Sequence, residues 1–282
     1  MVRKLGRKLE ILMSVHKALP ESVKSIFRRS IYEIRNRRFQ PYLKKKSIEG
    51  VSFDFWIGDI DGRDWYDLKC TDPIWIEMRF TRDHMIERGD VILECGAHHG
   101  CTTILLSNWV GKDGKVVAFE PVPKNCNIIK KNIKLNGIKN INLETKAVGA
   151  RKGHYNINGV SNSFITSSNK GIDVKVTDLD EYEHLNPNSI KIDVEGFEYQ
   201  VLQGAKKILG NRPKLAIEIH PEMLSRFGNS VKDILDLIDT DDYKLWIQWD
   251  DSEEPEPYDK NVSITKRVHL FCIPKSLKSQ VR

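Results

Sequence analysis

The sequence predicts an α/β fold in which a mostly parallel sheet is wound on both sides by helices, and three observations carry that expectation. Short apolar runs such as Val91-Ile92-Leu93 have the unbroken hydrophobicity of strands buried on both faces. These runs alternate with helical segments along most of the chain. Glycine and polar residues gather where the runs end, which is where open α/β sheets hold ligands.

Residues 1–50 read as a basic helical extension, and residues 51–282 as the domain proper. Leu5, Leu9, Leu12 and Leu19 recur at near-helical spacing among Lys and Arg, and Pro20 separates two short helices. This extension holds 14 Lys and Arg against 4 Glu, a surplus of ten within a total of +6, so the rest of the chain carries −4. It packs on the domain as a charged helical pair, or it makes a peripheral contact with a membrane or an anionic carrier. From Val51, β-branched and aromatic residues punctuated by Gly58, Gly62 and Pro73 predict strands or a hairpin. A helix over Ile74–Ile86 ends at Arg88-Gly89-Asp90, and the central strand begins at Val91.

Further strands are expected at Val116–Phe119, Ile141–Leu143, Ile190–Ile192 and Leu215–Ile219, with helices over Asn125–Leu135 and Phe197–Leu209. Arg151–Asp173, rich in Asn, Ser and Gly, predicts a hairpin or lid over the active-site edge. Two last strands, Tyr243–Ile247 and Val268–Ile273, flank the acidic loop Asp250–Tyr258.

Composition narrows the class. With 282 residues, 40% apolar and 30% charged, the chain suits one soluble domain with an appendage. It has neither an apolar run of about 18 residues nor a secretory signal pattern, so the expected compartment is the cytoplasm. Five scattered cysteines (Cys70, Cys95, Cys101, Cys126, Cys272) without a C-x-x-C pair argue against a disulfide framework and a zinc site. The negative balance beyond residue 50 argues against a nucleic-acid substrate.

The richest stretch is Glu94-Cys95-Gly96-Ala97-His98-His99-Gly100, at the junction of strand and helix. Gly96 and Gly100 permit a tight turn, and the helix start offers free N–H groups to a ligand. The dinucleotide pattern G-x-G-x-x-G is not met, which tilts the choice of ligand from NAD to S-adenosylmethionine. Glu120, in Phe119-Glu120-Pro121 at the next strand end, suits the hydroxyls of a ribose, although it could equally cap the helix that follows. Ala147-Val148, read as the end of the third strand, suits a slot for an adenine ring. His98 and His99 point in different directions and lack a third ligand, so a metal reading fails there.

Lys191-Ile192-Asp193-Val194-Glu195-Gly196 and Ile217-Glu218-Ile219-His220-Pro221 end two adjacent strands and deliver Asp193, Glu195, Glu218 and His220 towards one crevice. The cluster suits a general base for a substrate hydroxyl, with Asp193 first, Glu218 and His220 as partners, and Glu195 at the helix start or on the substrate. An Mg2+ ion held by Asp193, Glu218 and His220 is the alternative means of acidifying that hydroxyl.

These motifs resemble the FkbM-type S-adenosylmethionine-dependent methyltransferases over roughly residues 77–221. The resemblance rests on Gly96-Ala97, Phe119-Glu120-Pro121, the Asn132–Asn136 helix end, Ser161–Phe164, Val176–Asp180 and, most distinctively, Lys191–Gly196. It implies a seven-stranded class I methyltransferase fold of the Rossmann-like, doubly wound kind. It also implies O-methylation of a sugar, glycan, glycolipid or secondary-metabolite hydroxyl, with S-adenosyl-L-methionine bound by Gly96, Gly100 and Glu120. Asp193 and Glu195 would then lie at the active site, while Glu94, Ala97, His98, Pro121, Ala147 and Val148 complete the expected cofactor contacts. The family usually has Asp at the position of Glu94 and Asn at that of His98. A non-catalytic nucleotide-binding module and an NAD-dependent enzyme are the competing functions.

Overall fold

The computed structural model describes residues 35–69, 75–157, 165–166 and 171–275. Residues 35–38 are helical, and an antiparallel hairpin follows, β1 (Tyr42–Ile48) against β2 (Val51–Ile57), in a register that pairs Leu43 with Trp56 and Ile48 with Val51. Its two turn residues, Glu49 and Gly50, both have positive φ (46° and 78°), as the tightest hairpin turns require. The hairpin straddles residue 50, where the helical extension was expected to end. Over its described part, that segment therefore passes into the domain by strand pairing; residues 1–34 lie outside the described residues.

A single helical turn (Ile60–Arg63), a π-helical turn (Asp64–Lys69) and α1 (Ile76–Met85) lead to the main sheet. Its first half is β3 (Val91–Cys95), α2 (Cys101–Val110), β4 (Lys115–Phe119), α3 (Pro123–Leu135) and β5 (Ile141–Glu144). A second, four-stranded sheet interrupts it: β6 (Ala147–Val148), β7 (Gly153–Ile157), β8 (Ile165–Thr166) and β9 (Ile172–Thr177), in the order β6-β9-β7-β8. This is the hairpin expected over Arg151–Asp173. Ala147-Val148 does not end the third strand: β5 stops at Glu144, and β6 pairs in parallel with β9 instead.

The main sheet resumes with β10 (Ser189–Ile192), α4 (Glu198–Gln203), α5 (Lys206–Gly210), β11 (Lys214–Ile219), α6 (Val231–Ile238), β12 (Tyr243–Gln248), β13 (Glu256–Pro257) and β14 (Val268–Pro274). The strand order is β13-β12-β14-β11-β10-β3-β4-β5, seven strands with the two-residue β13 added at one edge. From β3 the chain runs outward through β4 and β5, then returns to place β10 and β11 on the other side of β3. The crevice at such a reversal is the ligand site of doubly wound sheets.

Alternation along the strands divides the core into two. Ile92, Val116 and Ala118 pack with Phe55, Leu105 and Ile129 under the hairpin, α2 and α3. Leu93, Val117 and Phe119 face the opposite side, with Val201, Ile208 and Ile234 of α4, α5 and α6. The helix expected over Phe197–Leu209 is split in two at Gly204, where a Cβ would lie 2.1 Å from the Gly149 carbonyl oxygen. The second sheet comes too close there for a side chain.

The tightest approach is at Gly96, with φ of 91°, where a Cβ would stand 1.8 Å from the Asp193 carbonyl oxygen. Gly96→Ala is therefore expected to destabilise the fold by about 3 kcal/mol or more. Gly137→Ala, at φ 63° with nothing within 4 Å, should cost only about 1 kcal/mol. Urea unfolding of the two variants measures the difference.

Candidate active site

A cavity of about 560 Å3 opens beyond the carboxyl ends of β3, β4, β10 and β11. Gly96, Ala97, His98, Glu120, Pro121, Ala147 and Val148 line one part of it; Asp193, Glu195, Glu218 and His220 line another. The strand-end residues singled out from the sequence thus converge, with two exceptions. Glu94 is fully buried in the wall behind the cavity, where Thr102 donates its hydroxyl to Oε1. Gly100 opens α2 with φ of 83°, and a Cβ there would press on Ile129 at 3.3 Å, so its smallness serves the packing of α2 on α3. Neither residue lines the cavity, contrary to the direct cofactor contact expected of them.

Glu120 holds the glycine turn together. Its Oε2 accepts from the His98 backbone N–H (2.8 Å), and its Oε1 accepts from the Val122 N–H (2.9 Å) and the Asn125 side-chain amide (3.2 Å). Burial outweighs these bonds and pushes its pKa up to about 8. Oε2, with one donor, keeps acceptor capacity for a ligand hydroxyl. His98 sits at φ 51°, a left-handed conformation that Asn tolerates well and His less often. Its Nδ1 lies 2.7 Å from the Tyr66 hydroxyl, and its ring stacks on His99 at 4.1 Å, so the two imidazoles lie side by side and not in the different directions expected of them. Burial drives its pKa well down, so it enters the wall as a neutral ring.

The other half of the cavity is ionic. His220 Nδ1 is 2.9 Å from Oε1 of the fully buried Glu198, and its Nε2 faces Glu218 (3.5 Å) and Glu195 (3.6 Å). Burial disfavours the imidazolium, but Glu198 and Glu218 prevail and raise its pKa to about 11. These neighbours favour the charged imidazolium, so His220 is less suited than Asp193 to take a proton from substrate. Burial also opposes ionisation of Glu218, yet His220 and Arg267 hold its carboxylate well below the usual range. Asp193 differs. Burial comes first, then repulsion from Glu218, and its pKa rises to about 7. Neither Asp193 nor Glu195 caps α4, whose start carries no side-chain cap; Glu195 and Gly196 form a left-handed turn instead.

Several lining residues were not singled out from the sequence. Lys191 precedes Asp193 by two positions, and its Nζ lies 3.6 Å from Asp193 Oδ2, the one ion pair it makes among the described residues. Burial works against its charge, but Asp193 and Glu94 keep its pKa above the ordinary lysine value. Strand alternation within the recognised motif was the signal that could have found it. Arg267 bridges Glu218 and Asp251 at 2.6 Å each, and His269 lies opposite Glu218 in the β11–β14 register. Nothing local in the sequence places that last antiparallel strand beside β11.

The chain matches the Methyltransferase FkbM domain family over residues 94–245, more than half its length. No curated protein matches it. Among solved structures, it is similar to a methyltransferase FkbM from Methylobacillus flagellatus, with 18% identity and a TM-score of 0.48 over 70% of this chain. The match covers 47% of that protein, so the chain spans about half its length. A SAM-dependent O-methyltransferase from Thermotoga maritima matches with 11% identity, a TM-score of 0.46, and coverage of 83% of this chain and 79% of that one. An Aeropyrum pernix fibrillarin with natively bound S-adenosyl-L-methionine matches with 14% identity, a TM-score of 0.40, and coverage of 66% and 67%. The family assignment rests on the domain match. This chain belongs to the FkbM methyltransferase family.

Proposed function

We propose that the protein transfers a methyl group from S-adenosyl-L-methionine to a hydroxyl oxygen of a sugar, glycan, glycolipid or related secondary metabolite. The observation that carries this reading is the Asp193–Lys191 pair, a carboxyl of pKa about 7 beside a retained ammonium, both lining the cavity. A carboxyl poised near neutrality suits removal of a hydroxyl proton.

The residues present fit the methyl donor. Glu120 has acceptor capacity for a ribose hydroxyl, Gly96 and Ala97 bring bare backbone to the cavity wall, and Val148, Ile157 and Phe197 offer an apolar lining for a base. S-adenosyl-L-methionine supplies a methyl group on a positively charged sulfur, ready for in-line transfer. The protein's part is alignment and proton handling. Asp193 accepts the hydroxyl proton as the acceptor oxygen attacks, Lys191 offsets the negative charge growing on that oxygen, and the His220–Glu198–Glu218 network holds the crevice rigid without exchanging protons.

An Mg2+ ion is not favoured by these donors. The ligand atoms that come within 4.8 Å of one another are those of Asp193, Glu195 and His220, with Glu195 in place of the expected Glu218, and the ring nitrogen of His220 does not suit the oxygen shell that Mg2+ prefers. EDTA treatment is expected to leave transfer unchanged. The same network makes a stability prediction. A pKa raised from about 6.5 to about 11 favours the folded state fully below the lower value, and the benefit is lost as pH rises towards the higher. Melting temperatures from pH 6 to 11 should therefore fall more steeply in the wild type than in His220→Gln.

Two measurements test the proposal. Calorimetry should show binding of S-adenosylhomocysteine and none of NAD. Transfer of labelled methyl to a panel of sugars, glycans and glycolipids should rise with pH through about 7 and fall at least a hundredfold in Asp193→Asn with cofactor affinity retained. Unchanged transfer in that variant would remove Asp193 from the chemistry.

A further inference from the structure

One face of the domain carries more basic residues than its carboxylates can pair. Between Glu120 and Glu144 the chain has no acidic residue and five lysines: Lys124, Lys130, Lys131, Lys134 and Lys139. α3 turns Asn125, Ile129 and Asn132 inward and leaves Lys124, Lys130, Lys131, Lys134 and Leu135 exposed. The hairpin continues this surface, because Asn132 and Asn136 accept from the backbone N–H groups of Trp56 and Asp54 and dock β2 on the helix. Leu43, directly opposite Trp56, stands on the outer side of the hairpin, and Lys131 Nζ caps the Trp56 ring 2.9 Å from its centroid. Arg35, Arg37 and Arg38 extend the face, since Asn36 lies 3.4 Å from Lys124. The neighbouring carboxylates Asp54, Asp59 and Asp67 are already ion-paired, with Lys45, Lys124 and Lys44 respectively.

Across the sheet the charges are mixed: α6 and the turn after it carry Asp233, Asp236, Asp239, Asp241 and Asp242, of which Asp236, Asp241 and Asp242 are ion-paired with Lys232, Lys260 and Arg212, and α6 packs into the core on the side opposite α3. A basic face on one side and a charge-paired one on the other orient a protein in front of an anionic surface. Two of the five large apolar side chains exposed among the described residues, Leu43 (48%) and Leu135 (40%), lie among the lysines. Interleaved apolar and basic groups suit a bilayer surface, where leucines enter the headgroup boundary and lysines meet anionic lipid. One side of the Trp56 ring is covered by the Lys131 ammonium, which leaves less of it for base stacking. We propose that α3, the outer side of the β1–β2 hairpin and residues 35–38 form a docking face for an anionic lipid bilayer.

Sedimentation of the full chain with sucrose-loaded vesicles tests this. It should partition onto vesicles containing phosphatidylglycerol at low salt, release as salt is raised, and stay free of vesicles of phosphatidylcholine alone. Replacing Lys130, Lys134 and Lys139 together by Gln should weaken partitioning roughly a hundredfold, about fivefold per charge. The corresponding Arg triple variant should retain it, and a matched Gln triple at Lys206, Lys207 and Lys232, on the opposite face, should bind like the wild type. The proposal is overturned by wild-type binding in the Lys130, Lys134, Lys139 variant, by equal binding to neutral vesicles, by no binding to anionic ones, or by RNA that binds more tightly than the vesicles do. None of these readouts depends on methyl transfer, so the docking face and the proposed reaction stand or fall separately.

Discussion

The architecture of the site depends on one close approach, that of Gly96 to the backbone of Asp193. The strand after which the chain first turns outward and the strand on which it returns end side by side, and Asp193 donates its N–H to the Cys95 carbonyl at 3.0 Å. Any side chain at position 96 would push those strand ends apart. With them together, the glycine turn, the Glu120 carboxylate that ties it down and the Asp193 side chain share one cavity. The half of the cavity at the glycine turn and the ionic half are thus held by the same backbone contact.

Placing so many ionisable groups in one crevice is tolerable because their charges are compensated locally. Desolvation alone would neutralise each carboxylate, and removing one partner would strand the others. His220 remains a cation because carboxylates face both of its ring nitrogens, and Glu218 remains an anion because His220 and Arg267 face it. Asp193 is left at the edge of this arrangement with Lys191 at 3.6 Å and Glu218 nearby. The compensation elsewhere leaves one carboxyl near neutrality, where a proton can be gained or lost at little cost.

The division of the core by the sheet also governs the surface. On one side α3 carries lysines with no acidic residue among them, whereas on the other α5 and α6 carry Lys206, Lys207 and Lys232 together with aspartates, and each helix turns apolar side chains inward. The stretch of lysines without acidic neighbours is therefore confined to one side of the sheet. The second sheet imposes a further constraint through Gly149, whose carbonyl lies against Gly204 and breaks what the residue pattern alone reads as one helix.

Periodicity and strand-end chemistry by themselves determined the class of fold, most of the strands of its main sheet and the convergence of Asp193, Glu195, Glu218 and His220, because a parallel sheet presents all its carboxyl ends to one side. They also marked Gly96 and Glu120, but they missed β1, within the span read as a helical extension, and the α6 helix. Only the tertiary structure decided the protonation of that cluster, since the charge on His220 depends on Glu198, a buried residue from a different turn of chain. It likewise turned Glu94 and Gly100 away from the cavity, moved Ala147-Val148 into a second sheet and brought Arg267 and Asp251 to Glu218. Those outcomes hang on contacts between residues far apart in the chain, where strand register and local dielectric are set by packing and leave no local pattern to read.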